Sequence, residues 1–154
     1  MRVSVIGGGT VTEEKLDVAA ETGRSLARRG HTVVCGGLGG VMEAACRGAK
    51  AENGRTIGVL PTDRRADANE YVDVAVATGL GHARNALVPM NGDAVVAIGG
   101  SGGTLSEIGF SFVYDRPVAG LGTHDVPGVE ACETPEEAVE YVEKAHPTSG
   151  SNGR

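Results

Sequence analysis

Aromatic residues are scarce in this sequence. They make up 3% of its 154 positions, with no tryptophan, so it offers few rings on which the bases of single-stranded nucleic acid could stack. It also has no run of Lys or Arg and carries a formal net charge of −6, and so lacks the basic patch that duplex DNA or an anionic membrane surface requires. Nucleic acid is therefore not an expected partner. No apolar stretch approaches the roughly 18 residues that span a bilayer. Met1-Arg2-Val3 opens a strand rather than a secretory signal, and the expectation is a cytoplasmic protein with no membrane attachment. Cys35, Cys46 and Cys132 show no CxxC spacing and read as small core residues, neither a disulfide framework nor a zinc site. His31, His82, His124 and His146 fall in no HxxE or HExxH grouping, so no protein-ligated metal is expected.

Glycine, by contrast, is plentiful, with 25 residues, and much of it falls directly after short β-rich runs. Arg2–Ile6 stops at Gly7-Gly8-Gly9, after which Thr10-x-x-Glu13 gives a helix-start signature. Leu16, Ala19, Ala20, Gly23, Leu26 and Ala27 then recur at helical spacing from about Thr12 to Arg29, and Gly30 ends the helix. Thr12 stands where the third glycine of GxGxxG would be, so a dinucleotide fingerprint is not expected. His31–Cys35 repeats the pattern, followed by Gly36-Gly37-Leu38-Gly39-Gly40 and a helix with Met42, Ala45, Cys46 and Ala49 on its buried stripe. Further strands are predicted at Arg55–Pro61, Tyr71–Ala77, Asp93–Ile98, Pro117–Gly122 and Val129–Cys132. A short helix spans Gly81–Val88, and Thr134-Pro135-Glu136-Glu137 opens the last one. This alternation predicts an α/β fold: a Rossmann-like, doubly wound parallel sheet in three layers, with helices on both faces. Residues 1–146 make a single nucleotide-binding domain, and the tail 147–154, which lacks apolar residues, is expected to be disordered.

The third glycine cluster is the richest. Gly99, Gly100, Ser101, Gly102, Gly103 and Thr104 follow a strand and lead into a helix, so close backbone approach, sharp turning and outward-pointing amides combine into a phosphate site. In a doubly wound sheet such loops converge at the carboxyl ends of the strands, where the strand order reverses. Gly8 and Gly9 of the first loop and Gly37 and Gly39 of the second are then candidates for the same crevice, although close helix packing explains the second cluster equally well. Arg84 offers a planar fork of donors to phosphate or ribose, while His82 falls on another helical face. Glu107 has two readings. Thr104-x-x-Glu107 matches a capping box, and a carboxylate in that place can equally act on a ligand, provided it is aimed beside the phosphate.

Gly36–Met42, the Ala83-Arg84-Asn85 step and Gly99–Glu107 resemble the Lonely Guy (LOG) superfamily, formerly labelled lysine decarboxylase-like, whose hallmark is PGGxGTxxE. The likeness covers roughly Met1 to Ala145 and looks nearest to a small single-domain branch related to the molybdenum cofactor carrier proteins, and more distantly to the DNA-processing protein DprA. The resemblance implies binding of a phosphorylated small molecule and a homodimer. In the cytokinin-activating branch it implies hydrolysis of the N-glycosidic bond of a nucleoside 5'-monophosphate, with no decarboxylation. Glu107 and Arg84 would then be the catalytic residues and the glycine loop with Thr104 would hold the phosphate. No cofactor would be required. In the carrier branch the ligand would be molybdopterin, its metal held by the dithiolene rather than by protein. Gly99 stands in place of the motif's proline, Ser101 in place of a glycine, and Asn85 in place of the lysine common in hydrolytic members.

Overall fold

The computed structural model describes residues 1–146, so the tail expected to be disordered lies outside the described residues. Seven parallel strands form one sheet: β1 (Arg2–Gly7), β2 (Thr32–Cys35), β3 (Thr56–Leu60), β4 (Val74–Ala77), β5 (Ala94–Ile98), β6 (Val118–Leu121) and β7 (Val129–Ala131), in the order β4-β3-β2-β1-β5-β6-β7. The helices are α1 (Glu13–Arg28), α2 (Val41–Ala51), α3 (Leu87–Met90), α4 (Gly102–Val113) and α5 (Pro135–Ala145). The Rossmann-like α/β architecture read from the sequence is the architecture observed.

Alternation along the strands builds the layers. Val3, Val5, Val33, Ala94, Val96 and Ile98 face a core completed by Ala19, Ala20 and Leu26 of α1, Ala44, Ala45 and Ala49 of α2, and Ala138, Val139 and Val142 of α5. Ile6, Val34, Val59, Val95, Ala97 and Val118 point the other way, onto Val88 of α3 and Ile108 of α4. Strands buried on both faces read as continuous apolar runs, which is why Val95-Val96-Ala97-Ile98 shows no polar alternation. Cys35 and Cys46 are buried, with their sulfurs 3.5 Å apart, and Cys132 is half-buried. Among the described residues no helix is long and apolar enough to cross a membrane.

Several boundaries differ from the sequence-based expectation. The first helix is capped by Thr12, whose hydroxyl accepts from the Lys15 N–H at 3.3 Å, and not by Thr10; Glu13 and Glu14 thereby fall in its first turn, at the positive end of the dipole. The predicted helix over Gly81–Val88 is a 3-10 segment, Gly81–Ala86, continued by α3. Pro89 lies inside α3, where a first-turn residue needs no intrahelical donor, and Asn91 caps the end. The final helix starts as read, with Thr134 capping the Glu137 N–H at 3.1 Å.

α1 and α2 cross at a contact that only glycine permits. A Cβ on Gly23 would run into the carbonyl of Ala45, and one on Gly48 into the carbonyl of Ala20. Because β1 and β2 carry these helices, the crossing also fixes the spacing of the first two glycine loops. Gly23→Ala and Gly48→Ala are each expected to destabilise the fold by about 2 kcal/mol or more, measured by denaturant unfolding.

Candidate functional site

Strand order runs outward in both directions from β1 and β5, which pair in parallel from Val3↔Ala94 to Gly7↔Ile98. The chain leaving β1 departs to one side and the chain leaving β5 to the other. A crevice therefore opens at their carboxyl ends, the place where ligands gather in doubly wound sheets. It is a cleft of about 270 Å³ lined by main chain from Gly7-Gly8-Gly9 and Gly36, and by side chains of Met42, His82, Arg84, Asn85, Thr104 and Glu107.

The glycine loop closes one wall. Gly99 and Gly100 have φ of +56° and +100°, so the chain turns within two residues before α4 begins at Gly102. Ser101 is the N-cap residue and its side chain makes no capping bond. Gly99 N–H donates to Leu121 O at 3.3 Å, and the next amide to bond internally is Leu105 N–H, to Ser101 O at 3.0 Å. Among the described residues, the N–H groups of Gly100, Ser101, Gly102, Gly103 and Thr104 have no hydrogen-bond partner within the protein. Bare amides at the start of a 12-residue helix favour an anion.

Glu107 does not cap this helix. The capping-box reading needs Thr104 at the cap position, but the helix starts two residues earlier, so Thr104 is already in the first turn and Glu107 in the second, beyond reach of the cap amide. Glu107 is instead buried, at 6% exposure, and its carboxylate accepts no hydrogen bond from the described residues. Burial raises its pKa to about 7, against the opposing pull of the Arg84 charge.

Arg84 sits across the cleft, held by the 3-10 segment at 8% exposure. One guanidinium nitrogen, Nη1, donates to Asn85 Oδ1 at 2.9 Å and lies 2.8 Å from where a Cβ on Gly36 would sit. Nε is buried with no partner. Burial lowers its pKa, while Glu107 and Cys35 pull the other way.

Of the residues singled out from the sequence, Gly8, Gly9, Arg84, Ser101, Gly103, Thr104 and Glu107 line the cleft, and Gly99, Gly100 and Gly102 form the turn behind it. Gly37 and Gly39 do not line it. Gly37, at φ +83°, is packed on Leu60, and Gly39 faces open space, while Gly36 takes the place at the wall. Met42, read as core, lines the cleft, and so do His82 and Asn85. Asn85 Nδ2 donates to Ser106 Oγ at 3.3 Å, which donates to Gly103 O at 2.6 Å, linking Arg84 to the first turn of α4. The 3-10 geometry of 81–86 explains His82: with about three residues per turn, its face differs from the one an α-helical reading assigns.

Glu107 also gives the fold a pH dependence. Its folded pKa of about 7 lies above the ordinary 4.5, so the folded state holds the proton more tightly, and the resulting stability is present below about pH 4.5 and lost as pH rises through about 7. Wild type is expected to lose on the order of 3 kcal/mol of unfolding free energy over that interval relative to Glu107→Gln, measured by urea unfolding at a series of pH values.

The SLOG cluster4 family model matches residues 1–148. A cytokinin riboside 5'-monophosphate phosphoribohydrolase of Mycobacterium tuberculosis is 37% identical over 119 residues, covering 74% of this chain and 60% of that protein. The solved molybdenum cofactor binding protein of Rippkaea orientalis superposes with a TM-score of 0.88 at 33% identity, covering 93% of this chain and 95% of the other. The molybdenum cofactor carrier protein of Chlamydomonas reinhardtii does so at 0.86 and 31%, covering 94% and 96%. DNA processing protein A of Helicobacter pylori, at 0.70 and 19% over 96% of this chain and 82% of its own, shares the fold alone.

Proposed function

The chain belongs to the SLOG cluster4 family, and from that premise we propose that it binds a phosphorylated small molecule in the β1/β5 cleft. The phosphate rests on the amides of Gly100–Thr104 and faces the guanidinium of Arg84. Arg84 carries this proposal: its buried guanidinium lines the same cleft as the start of α4, where among the described residues five amides are unpaired, and an oxyanion bound between them would accept from both. Met42 supplies an apolar surface for a flat ring. A nucleoside 5'-monophosphate or a phosphate-bearing pterin such as the molybdenum cofactor meets these requirements. The likeness to the molybdenum cofactor proteins along nearly the full length of both chains supports the pterin as cargo. The donor set suits its phosphate, and no protein residue would need to hold its metal.

Glu107 supports a second outcome at the same site, hydrolysis of the N-glycosidic bond of a nucleoside 5'-monophosphate. Its position in the second turn of α4 sets its Cα roughly 7 Å along the helix axis from the first amide, so that the side chain could reach a sugar beside the phosphate. Departure of the base leaves an oxocarbenium-like ribose, which the Glu107 carboxylate stabilises while orienting water. With a pKa of about 7, activity would rise with pH as the carboxylate forms and level off above neutrality.

Incubation with a panel of nucleoside monophosphates distinguishes the two outcomes. A hydrolase releases free base, and Glu107→Gln lowers that rate roughly 10²-fold or more at unchanged Tm. A carrier binds nucleotide or molybdopterin, shown by a rise in Tm at saturating ligand, without turnover.

The exposed side of α4 supports a homodimer. Leu105, Phe110, Phe112 and Val113 are 46%, 37%, 36% and 68% exposed on one short helix, a concentration of large apolar groups that a second copy would cover. Light scattering after size exclusion is expected to give a dimer for wild type and a monomer for Leu105→Glu/Val113→Asp.

A further inference from the structure

The glycine loop is gripped from outside the cleft by a segment that the sequence does not link to it. Immediately after β6, Thr123 Oγ1 donates to Gly99 O at 2.7 Å and His124 Nε2 donates to Ser101 O at 2.9 Å. The strap is itself tied to α1, where Lys15 Nζ donates to Gly122 O at 3.3 Å and the Lys15 stem lies against Gly99. Thr123 and His124 line a separate hollow beside β7 and take no part in the cleft wall.

Peptide geometry gives these two bonds a consequence. Every described peptide bond is trans, so a carbonyl and the N–H of the next residue point in opposite directions. Drawing Gly99 O toward Thr123 turns the Gly100 N–H away from the strap, and drawing Ser101 O toward His124 does the same for the Gly102 N–H. Gly100, at φ +100°, has no side chain to prevent its peptide from flipping, and the helix ladder begins only at Leu105. The Ser101 carbonyl also accepts from the Leu105 N–H, so the Gly102 amide is held in part by α4, whereas without Thr123 nothing among the described residues holds the Gly99–Gly100 peptide in one orientation.

Resting on the phosphate-site assignment above, we propose that Thr123 and His124 are positioning residues that aim the amides of Gly100 and Gly102 at the ligand's phosphate, and that Thr123, whose hydroxyl is half-buried, is the dominant one. They touch no ligand themselves. They lower the cost of ordering the loop when the anion arrives, so their loss weakens binding without unfolding the protein.

The test uses inorganic phosphate and adenosine 5'-monophosphate as probes, with affinity from calorimetry and amide shifts from nitrogen-labelled protein. Thr123→Val, which keeps the shape and removes the hydroxyl, is expected to weaken both probes roughly 5- to 10-fold at unchanged ligand-free Tm. Thr123→Ser, which keeps the donor, should stay within about twofold of wild type. The Gly100 and Gly102 amide signals should shift on phosphate addition in wild type and Thr123→Ser, and not in Thr123→Val/His124→Leu. Wild-type affinity in that double variant, in the presence of an Arg84→Met protein that has lost binding, overturns the positioning role and leaves the site intact. A ligand-free Tm that falls in step with affinity overturns it as well, by marking the strap as structural. Absence of saturable binding of either probe by wild type overturns the site and the positioning role together.

Discussion

A parallel sheet whose strand order runs outward from an inner pair cannot cover the gap between the two departing loops, and this constraint organises the molecule. β1 and β5 are that pair, and no crossover passes over their carboxyl ends. The chain fills the gap with main chain. Gly7-Gly8-Gly9 and Gly99–Gly103 approach so closely that a Cβ on Gly8 would lie 3.6 Å from the Gly100 Cα. Backbone packed this tightly must place its amides somewhere, and the start of α4 leaves five of them without partners. In a core, that many unsatisfied donors would be costly; at an open crevice they can be solvated or can donate to an anion.

Charges around the crevice favour an anion over a cation. The positive end of α4 and the Arg84 guanidinium both favour negative charge. Among the described residues Glu107 is the one acidic side chain lining the cleft, and burial raises its pKa to about 7, so near neutrality a large share of the molecules carry it uncharged. Arg84 and Glu107 make no direct ion pair among the described residues, which leaves both groups free to face a third. A closed pair would have neutralised the site.

Much of this was legible in the sequence because the signals are local. Each strand–glycine–helix unit declares itself within about 15 residues, and the repetition implies the parallel sheet and hence the crevice. Arg84 and Glu107 were legible as candidates through motif spacing. What escaped depends on contacts distant in sequence or on a shift of one to three residues. Ser101 in place of Thr104 at the start of α4 changes Glu107 from a capping group into a cleft group. Gly36 in place of Gly37 at the wall is a shift of one position. The Asn85–Ser106–Gly103 link spans about 20 residues and the Thr123–Gly99 bond 24, and nothing periodic or compositional marks either. Asn85 carried a signal, its place in the arginine step, but read as a departure from a motif rather than as a structural tie.

The departure at Gly99 bears on which chemistry the cleft serves. The superfamily hallmark has proline there, whose ring fixes φ near −65°, whereas Gly99 stands at φ +56°, which proline cannot adopt. The difference is therefore one of backbone path and not only of side chain. In this chain the turn into α4 is set by glycine conformations held from outside, where a proline would set it covalently. A loop held by hydrogen bonds can loosen to admit and release a bulky ligand, which suits a protein that hands its cargo on. A covalently stiffened loop suits one that must hold a sugar still for bond cleavage. Glu107, buried and poised near neutrality, pulls toward cleavage, while the glycine turn pulls toward carriage. The two features sit on the same helix start, so under the proposed function the balance between them would depend on how rigidly the loop is held around the ligand.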